Sequence, residues 1–100
     1  MLERDIEKWL GERVKELGGI FYKWVSPGND GVPDRIVILP EGRIYFVELK
    51  TKNGRLSPIQ EYQIRCLKMR GIDVIVIKGI DEARRWLSGI QATQLSDKSD

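Results

Sequence analysis

The stretch GVPDRIVILPEGRIYFVELK, residues 31–50, decides the fold. Two runs rich in β-branched and aromatic residues, 34–39 and 44–50, flank Pro40, Glu41, Gly42 and Arg43, whose composition is that of a turn. The pattern predicts two antiparallel strands joined as a hairpin by a four-residue connection. Successive side chains of a strand face opposite ways, so Glu48 and Lys50 are expected to project together while Leu49 turns into the core. In a hairpin that turns at 40–43, residue 34 falls opposite residue 49, give or take one place. Asp34 is therefore expected beside Glu48 and Lys50. Pro33 removes a backbone donor and imposes an extended entry into the strand.

Upstream of this stretch, Leu2, Ile6, Trp9, Leu10, Val14 and Leu17 recur at spacings of three and four, the apolar stripe of an amphipathic helix that Gly18 and Gly19 end. Residues 20–25 read as a strand, and 26–33 as a loop of turn-forming residues. Downstream, 51–57 is polar and basic. Ser57 is placed as a helix N-cap, with Pro58 as the first helical residue. That helix is expected to run to about residue 70 with Ile59, Tyr62, Cys66 and Met69 on one face, and Gly71 to stop it. Residues 73–77, nearly all Val and Ile, read as a strand buried on both faces. A short helix over 80–87 carries Asp81 and Glu82 at its start and Arg84 and Arg85 near its end, as its dipole favours. The remaining residues are polar without periodicity and read as a disordered tail. The order is α-β-β-β-α-β-α, an α/β fold with a mixed central sheet flanked by helices. The chain divides into one domain, 1–89, and a polar tail, 90–100.

Bulk composition narrows the chemistry. The chain has 100 residues, 41% of them hydrophobic and 32% charged, enough for one thin core. No apolar run approaches the roughly 18 residues that cross a bilayer, and no membrane partner is expected. The charged N-terminus and the single cysteine, Cys66, point to a cytoplasmic, reducing location. With no histidine and one cysteine, zinc is disfavoured, and any metal would be a hard ion on carboxylates. A net charge of +2 argues against sequence-blind, high-affinity coating of DNA.

Two carboxylates as close as Asp34 and Glu48 repel each other, and a divalent cation between them removes the conflict. Such an ion polarises a phosphoryl group and acidifies a bound water, while Lys50 can orient that water and stabilise developing charge. The triplet Glu48-Leu49-Lys50 by itself is weak; about one of its kind arises by chance in such a composition. Its setting in a buried strand, after Ile44, Phe46 and Val47, makes a Glu and a Lys costly unless they are partnered. The competing readings are a surface ion pair on a purely structural domain and a DNA-binding accessory module with weak or partner-dependent catalysis.

An ordered series of short stretches resembles the virus-type replication-repair nuclease (VRR-NUC) domain, within the PD-(D/E)xK superfamily that also holds Holliday-junction resolvases. The stretches are 3–7, 18–19, 22–24, 26–28, 31–35, 46–50 and Gln60, and they span residues 3 to 80 or so. The resemblance implies a restriction-endonuclease-like core, Mg2+ or Mn2+, cleavage of branched DNA such as Holliday junctions or flaps, and a homodimer. It implies that Asp34 and Glu48 are metal ligands, with the backbone carbonyl of Leu49 as a third, and that Lys50 is the catalytic lysine. The first-helix acid corresponds to Glu3, with Glu7 one turn on as the alternative. Gln60 corresponds to a glutamine that holds a water or the scissile phosphate, although it also reads as a solvated polar residue. Lys23, Arg35, Lys52 and Arg55 lie near the motif in sequence and are candidate phosphate contacts, or else ordinary exposed cations. Trp9, Trp24 and Trp86 read as core or interface residues. A dimer would set two sites on a two-fold symmetric junction.

Overall fold

The structure is a computed structural model that describes residues 1–99, with side chains through residue 91. The elements follow the expected order: α1 (Glu3–Glu16), β1 (Ile20–Lys23), β2 (Arg35–Leu39), β3 (Arg43–Lys50), α2 (Pro58–Lys68), β4 (Val74–Lys78) and α3 (Gly79–Ser99). The hairpin connection is a single 3-10 turn, Pro40–Gly42, in which Glu41 and Gly42 take the left-handed backbone that lets the chain reverse. β1–β2 and β2–β3 are antiparallel, β3–β4 is parallel, and the strands lie in the order β1-β2-β3-β4. α2 is the crossover that a parallel pair requires.

One face of the sheet holds the core. Val37, Leu39, Val47, Leu49 and Ile77 point to it and meet Ile6, Leu10 and Val14 of α1 and Ala83, Leu87 and Ile90 of α3. The alternation of the strand puts Ile20, Tyr22, Ile36, Ile38, Ile44, Phe46 and Glu48 on the other face, where the registers Ile20↔Ile38↔Ile44 and Tyr22↔Ile36↔Phe46 align them in rows. α2 lies on this second face and leaves part of it open.

The structure departs from expectation at α2 and at the closing helix. The stripe Ile59, Tyr62, Cys66 and Met69 does not face the core: Ile64 is the buried residue of α2, and Met69 is 84% exposed. The physical reason is that α2 has a second stripe, Gln60, Ile64 and Leu67 at spacings of four and three, and this is the face it turns to the sheet. β4 is buried on both faces as expected, with Val74 5% and Ile77 1% exposed on opposite sides, covered by α2 and α3 although it is the edge strand of the sheet. The closing helix starts at Gly79 and outruns the expected 80–87. Ile90 joins the core, one residue beyond the expected end of the domain. The side chains after residue 91 and Asp100, on which most of the expected tail falls, lie outside the described residues. Among the described residues no helix is long and apolar enough to cross a membrane.

Candidate active site

The site forms where β2 begins and β3 ends. Arg35 pairs with Val47, so Asp34, one residue earlier, comes opposite Glu48. This is one place from the expected partner and on the face that Glu48 occupies. The Asp34 carbonyl accepts from Trp24 N–H at 2.7 Å, which extends the β1–β2 ladder past its last strand residue and fixes the entry of the aspartate.

Glu48 is 1% exposed, which places a carboxylate in the interior. Its Oε1 is buried without a hydrogen-bond donor. Its Oε2 accepts from Gln60 Nε2 at 3.5 Å and lies 3.9 Å from Lys50 Nζ. Burial, then the neighbouring Asp34 carboxylate, push the Glu48 carboxyl up to about 8, and the Lys50 charge offsets only part of this. Glu3 also adds negative potential at Glu48. Glu7 does not take part, because it is ion-paired with Arg35. Of the two first-helix acids, Glu3 is the one whose charge acts at Glu48.

Gln60 is held by its own helix end. Ser57 N–H donates to Gln60 Oε1 at 2.9 Å, and Gln60 N–H donates to Ser57 Oγ at 3.3 Å, a reciprocal capping box. With its oxygen engaged, the amide offers its NH2 group to Glu48. The loop over 26–33 braces the same turn of α2. Gln63 Nε2 donates to the Asp30 carbonyl at 3.2 Å. Gly31, with φ of +86°, lies so close that a Cβ would come 2.8 Å from the Ile59 carbonyl oxygen. Sequence reads Ser57 only as an N-cap, and it gives no sign that Gly31 supports the site, because no local pattern says which turn a distant loop will touch.

The expected phosphate contacts separate. Arg35 and Lys23 are register partners that project from the sheet face opposite to Glu48. Arg35 is turned under α1, paired with Glu7, with its guanidinium 5.0 Å from the Phe21 ring centroid, and burial lowers its pKa. That guanidinium is committed within the fold instead of open to a phosphate. Lys52 and Arg55 are exposed on the segment that follows β3. Lys78, the register partner of Lys50, was missed because a parallel pairing cannot be read from local pattern.

Two carboxylates meet beside a lysine, and one of their oxygens is buried without a donor. Among the described residues no group of three or more His, Cys, Asp or Glu is assembled as a metal site, so further ligands would be backbone or solvent oxygens. The Leu49 side chain is fully buried, which leaves its carbonyl as the atom it can contribute.

The sequence matches the VRR-NUC domain over residues 7–81. The chain belongs to the VRR-NUC family. A relative in Acyrthosiphon pisum secondary endosymbiont phage 1, p44, whose name designates it a nuclease by inference, is 47% identical over 79 residues, 79% of this chain and 85% of that protein. A solved VRR-NUC domain superposes with a TM-score of 0.82 at 33% identity, covering 86% of this chain and 94% of its own. A second VRR-NUC domain protein, at 20% identity and a TM-score of 0.68, shares the fold and covers 92% of this chain and 87% of its own. The architecture of this VRR-NUC nuclease domain is thus that of its relatives. The matched span contains Asp34, Glu48, Lys50 and Gln60 and begins after Glu3, whose assignment rests on its charge acting at Glu48.

Proposed function

We propose that this nuclease domain is an endonuclease dependent on Mg2+ or Mn2+ that hydrolyses phosphodiester bonds in branched DNA such as four-way junctions or flaps. One observation carries the metal dependence: an interior carboxylate, Glu48, has one oxygen without a donor and a second carboxylate, Asp34, as its neighbour. An interior of this kind is costly when left as bare acids and suits a small hard cation. Asp34, Glu48 and the Leu49 carbonyl would hold it. When bound, it would neutralise the charge that develops on the phosphoryl oxygens and make a bound water more acidic. Lys50 would orient the attacking water by donating to it and would set a positive charge beside the phosphate. Gln60 would keep Glu48 in place through its NH2 group.

The test is a cleavage panel of fork, flap, four-way-junction and linear DNAs with Mg2+ or Mn2+. Cleavage is expected that EDTA, Asp34→Asn and Lys50→Ala each abolish. Cleavage that persists in Lys50→Ala would show that the site lies elsewhere.

A homodimer is part of this reading. The open sheet face exposes Ile20, Tyr22 and Ile44, and on the same side α2 exposes Ile59, Tyr62 and Met69. A monomer gains nothing from so much apolar surface on one side. The exposed residues around it carry both signs, with Glu41, Glu61 and Asp73 against Arg65, Lys68 and Arg70. A two-fold copy can match acid to base there, whereas DNA would meet apolar surface and acids.

A further inference from the structure

We propose that the cleft between Lys52, Lys78 and Arg85 binds a phosphodiester group of the DNA strand next to the one that is cut. This rests on the nuclease reading of Asp34, Glu48 and Lys50, and it adds a direction for the strand to leave the site.

Three cations arrive from three elements. Lys78 closes β4 and is in register with Lys50 on the parallel neighbour β3, so the two lysines stand on the same face about 4.8 Å apart along the sheet. Lys52 follows β3 by two residues. It is packed against the start of α3, where a Cβ on Gly79 would lie 3.3 Å from the Lys52 Cβ. Arg85 comes from the second turn of α3. Together they line a cleft of about 440 Å³, large enough for a phosphate with part of its sugar.

The charge of the cleft is unbalanced. Among the described residues none of Lys52, Lys78 and Arg85 has an ion-pair partner. Two acids also line it, Asp81 and Glu82. Asp81 is engaged by Arg84 at 3.7 Å, which leaves Glu82 against three cations. One acid does not balance three cations, and an incoming phosphate relieves the repulsion that remains among them. The cleft is reached from Lys50 by crossing a single strand spacing, so a DNA strand seated with one phosphate at Asp34, Glu48 and Lys50 runs on into it. Such contacts position a strand without reading its sequence.

The experiment uses full-length protein carrying Asp34→Asn, so that DNA is bound and not cut. A fluorescent four-way junction and a flap are titrated at several salt concentrations, with and without Lys78→Ala plus Arg85→Ala. The added pair is expected to weaken binding at least ten-fold and to lower the slope of log Kd against log salt by about one, as for one lost phosphate contact. A methylphosphonate placed at single positions beside the cut should weaken the parent at one of them and leave the Lys78/Arg85 variant indifferent there. Lys78→Met with Arg85→Met keeps the aliphatic packing, and serves if the alanine pair melts early. Equal affinity and salt slope in parent and variants would overturn the proposal, as would identical methylphosphonate profiles. Failure of the nuclease reading would show separately, as wild-type protein that cuts none of the DNAs.

Discussion

The backbone N–H of Ser57 holds Gln60 Oε1 at 2.9 Å, and this bond decides which end of the amide meets Glu48. The first turn of α2 is at once a helix cap and the support of the buried Glu48 carboxylate. Gln60→Ala is expected to lower the cleavage rate roughly ten- to a hundred-fold, the usual cost of removing a group that orients a ligand. DNA affinity in EDTA should stay close to wild type. Ser57→Ala keeps the backbone donor and loses only the Oγ contact, so it should cost about 1 kcal/mol of stability with cleavage nearly intact. Single-turnover kinetics beside urea melts would separate the two effects; equal rate losses would mean that Gln60 acts only as part of the cap.

Glu48 predicts how stability varies with pH. Its folded pKa, about 8, lies above the ordinary 4.5. The folded state therefore binds the proton more tightly than the unfolded chain does. Below 4.5 both states are protonated and the group makes no difference. As pH rises from 4.5 toward 8 the unfolded chain ionises first, and metal-free stability falls; above 8 the loss levels off. Melting in EDTA from pH 5 to 9 should show this decline, and Glu48→Gln should flatten it. At pH 7.5 the variant is expected to melt at least about 5 °C higher than metal-free wild type, equivalent to roughly 1 kcal/mol in a domain of this size. Added Mn2+ should raise the melting temperature of wild type and leave Glu48→Gln almost unmoved.

Gly28 and Gly31 form a matched pair. Both have positive φ, +80° and +86°, but a Cβ at Gly28 meets nothing within 4 Å, whereas one at Gly31 strikes the Ile59–Gln60 peptide. Gly28→Ala should cost only the backbone penalty, about 1 kcal/mol, and retain activity. Gly31→Ala adds a backbone clash that pushes α2 from the site, and should cost about 2–4 kcal/mol with most cleavage lost. Similar activities for the two variants would show that the loop does not brace Gln60.

Arg35 is predicted to be a structural cation. Its guanidinium faces Glu7 and Phe21 from a partly buried position. Arg35→Met should lower stability by about 1–3 kcal/mol, because Glu7 loses its partner. The salt dependence of DNA binding should remain that of wild type. A drop of about one in the salt slope would instead assign Arg35 to a phosphate.

The open sheet face predicts the state of association. Sedimentation at micromolar concentration is expected to show a dimer for wild type and a monomer for Tyr22→Glu combined with Ile44→Glu, since paired charges on an apolar interface are not desolvated cheaply. A monomeric wild type would remove the dimer.

Sequence by itself determined the elements and the central triad. Two nearly continuous runs of β-branched and aromatic residues, in 34–39 and 44–50, and the turn between them, set the hairpin, and its arithmetic placed Asp34 within one residue of its true partner, Glu48. These are local constraints, imposed by side-chain period and turn length. The tertiary structure decided everything that depends on how distant segments meet. It decided that α2 turns Gln60, Ile64 and Leu67 to the sheet and exposes Tyr62 and Met69, a choice between two stripes that helical period alone leaves open. The pairing of Lys50 with Lys78 follows from a parallel crossover whose register no local pattern encodes. The separation of Glu3 from Glu7 follows from Arg35, which claims the second acid for the core side of the sheet. Helical and strand periods state which face a residue shares with its near neighbours, but a face acquires a partner only when the whole chain has packed.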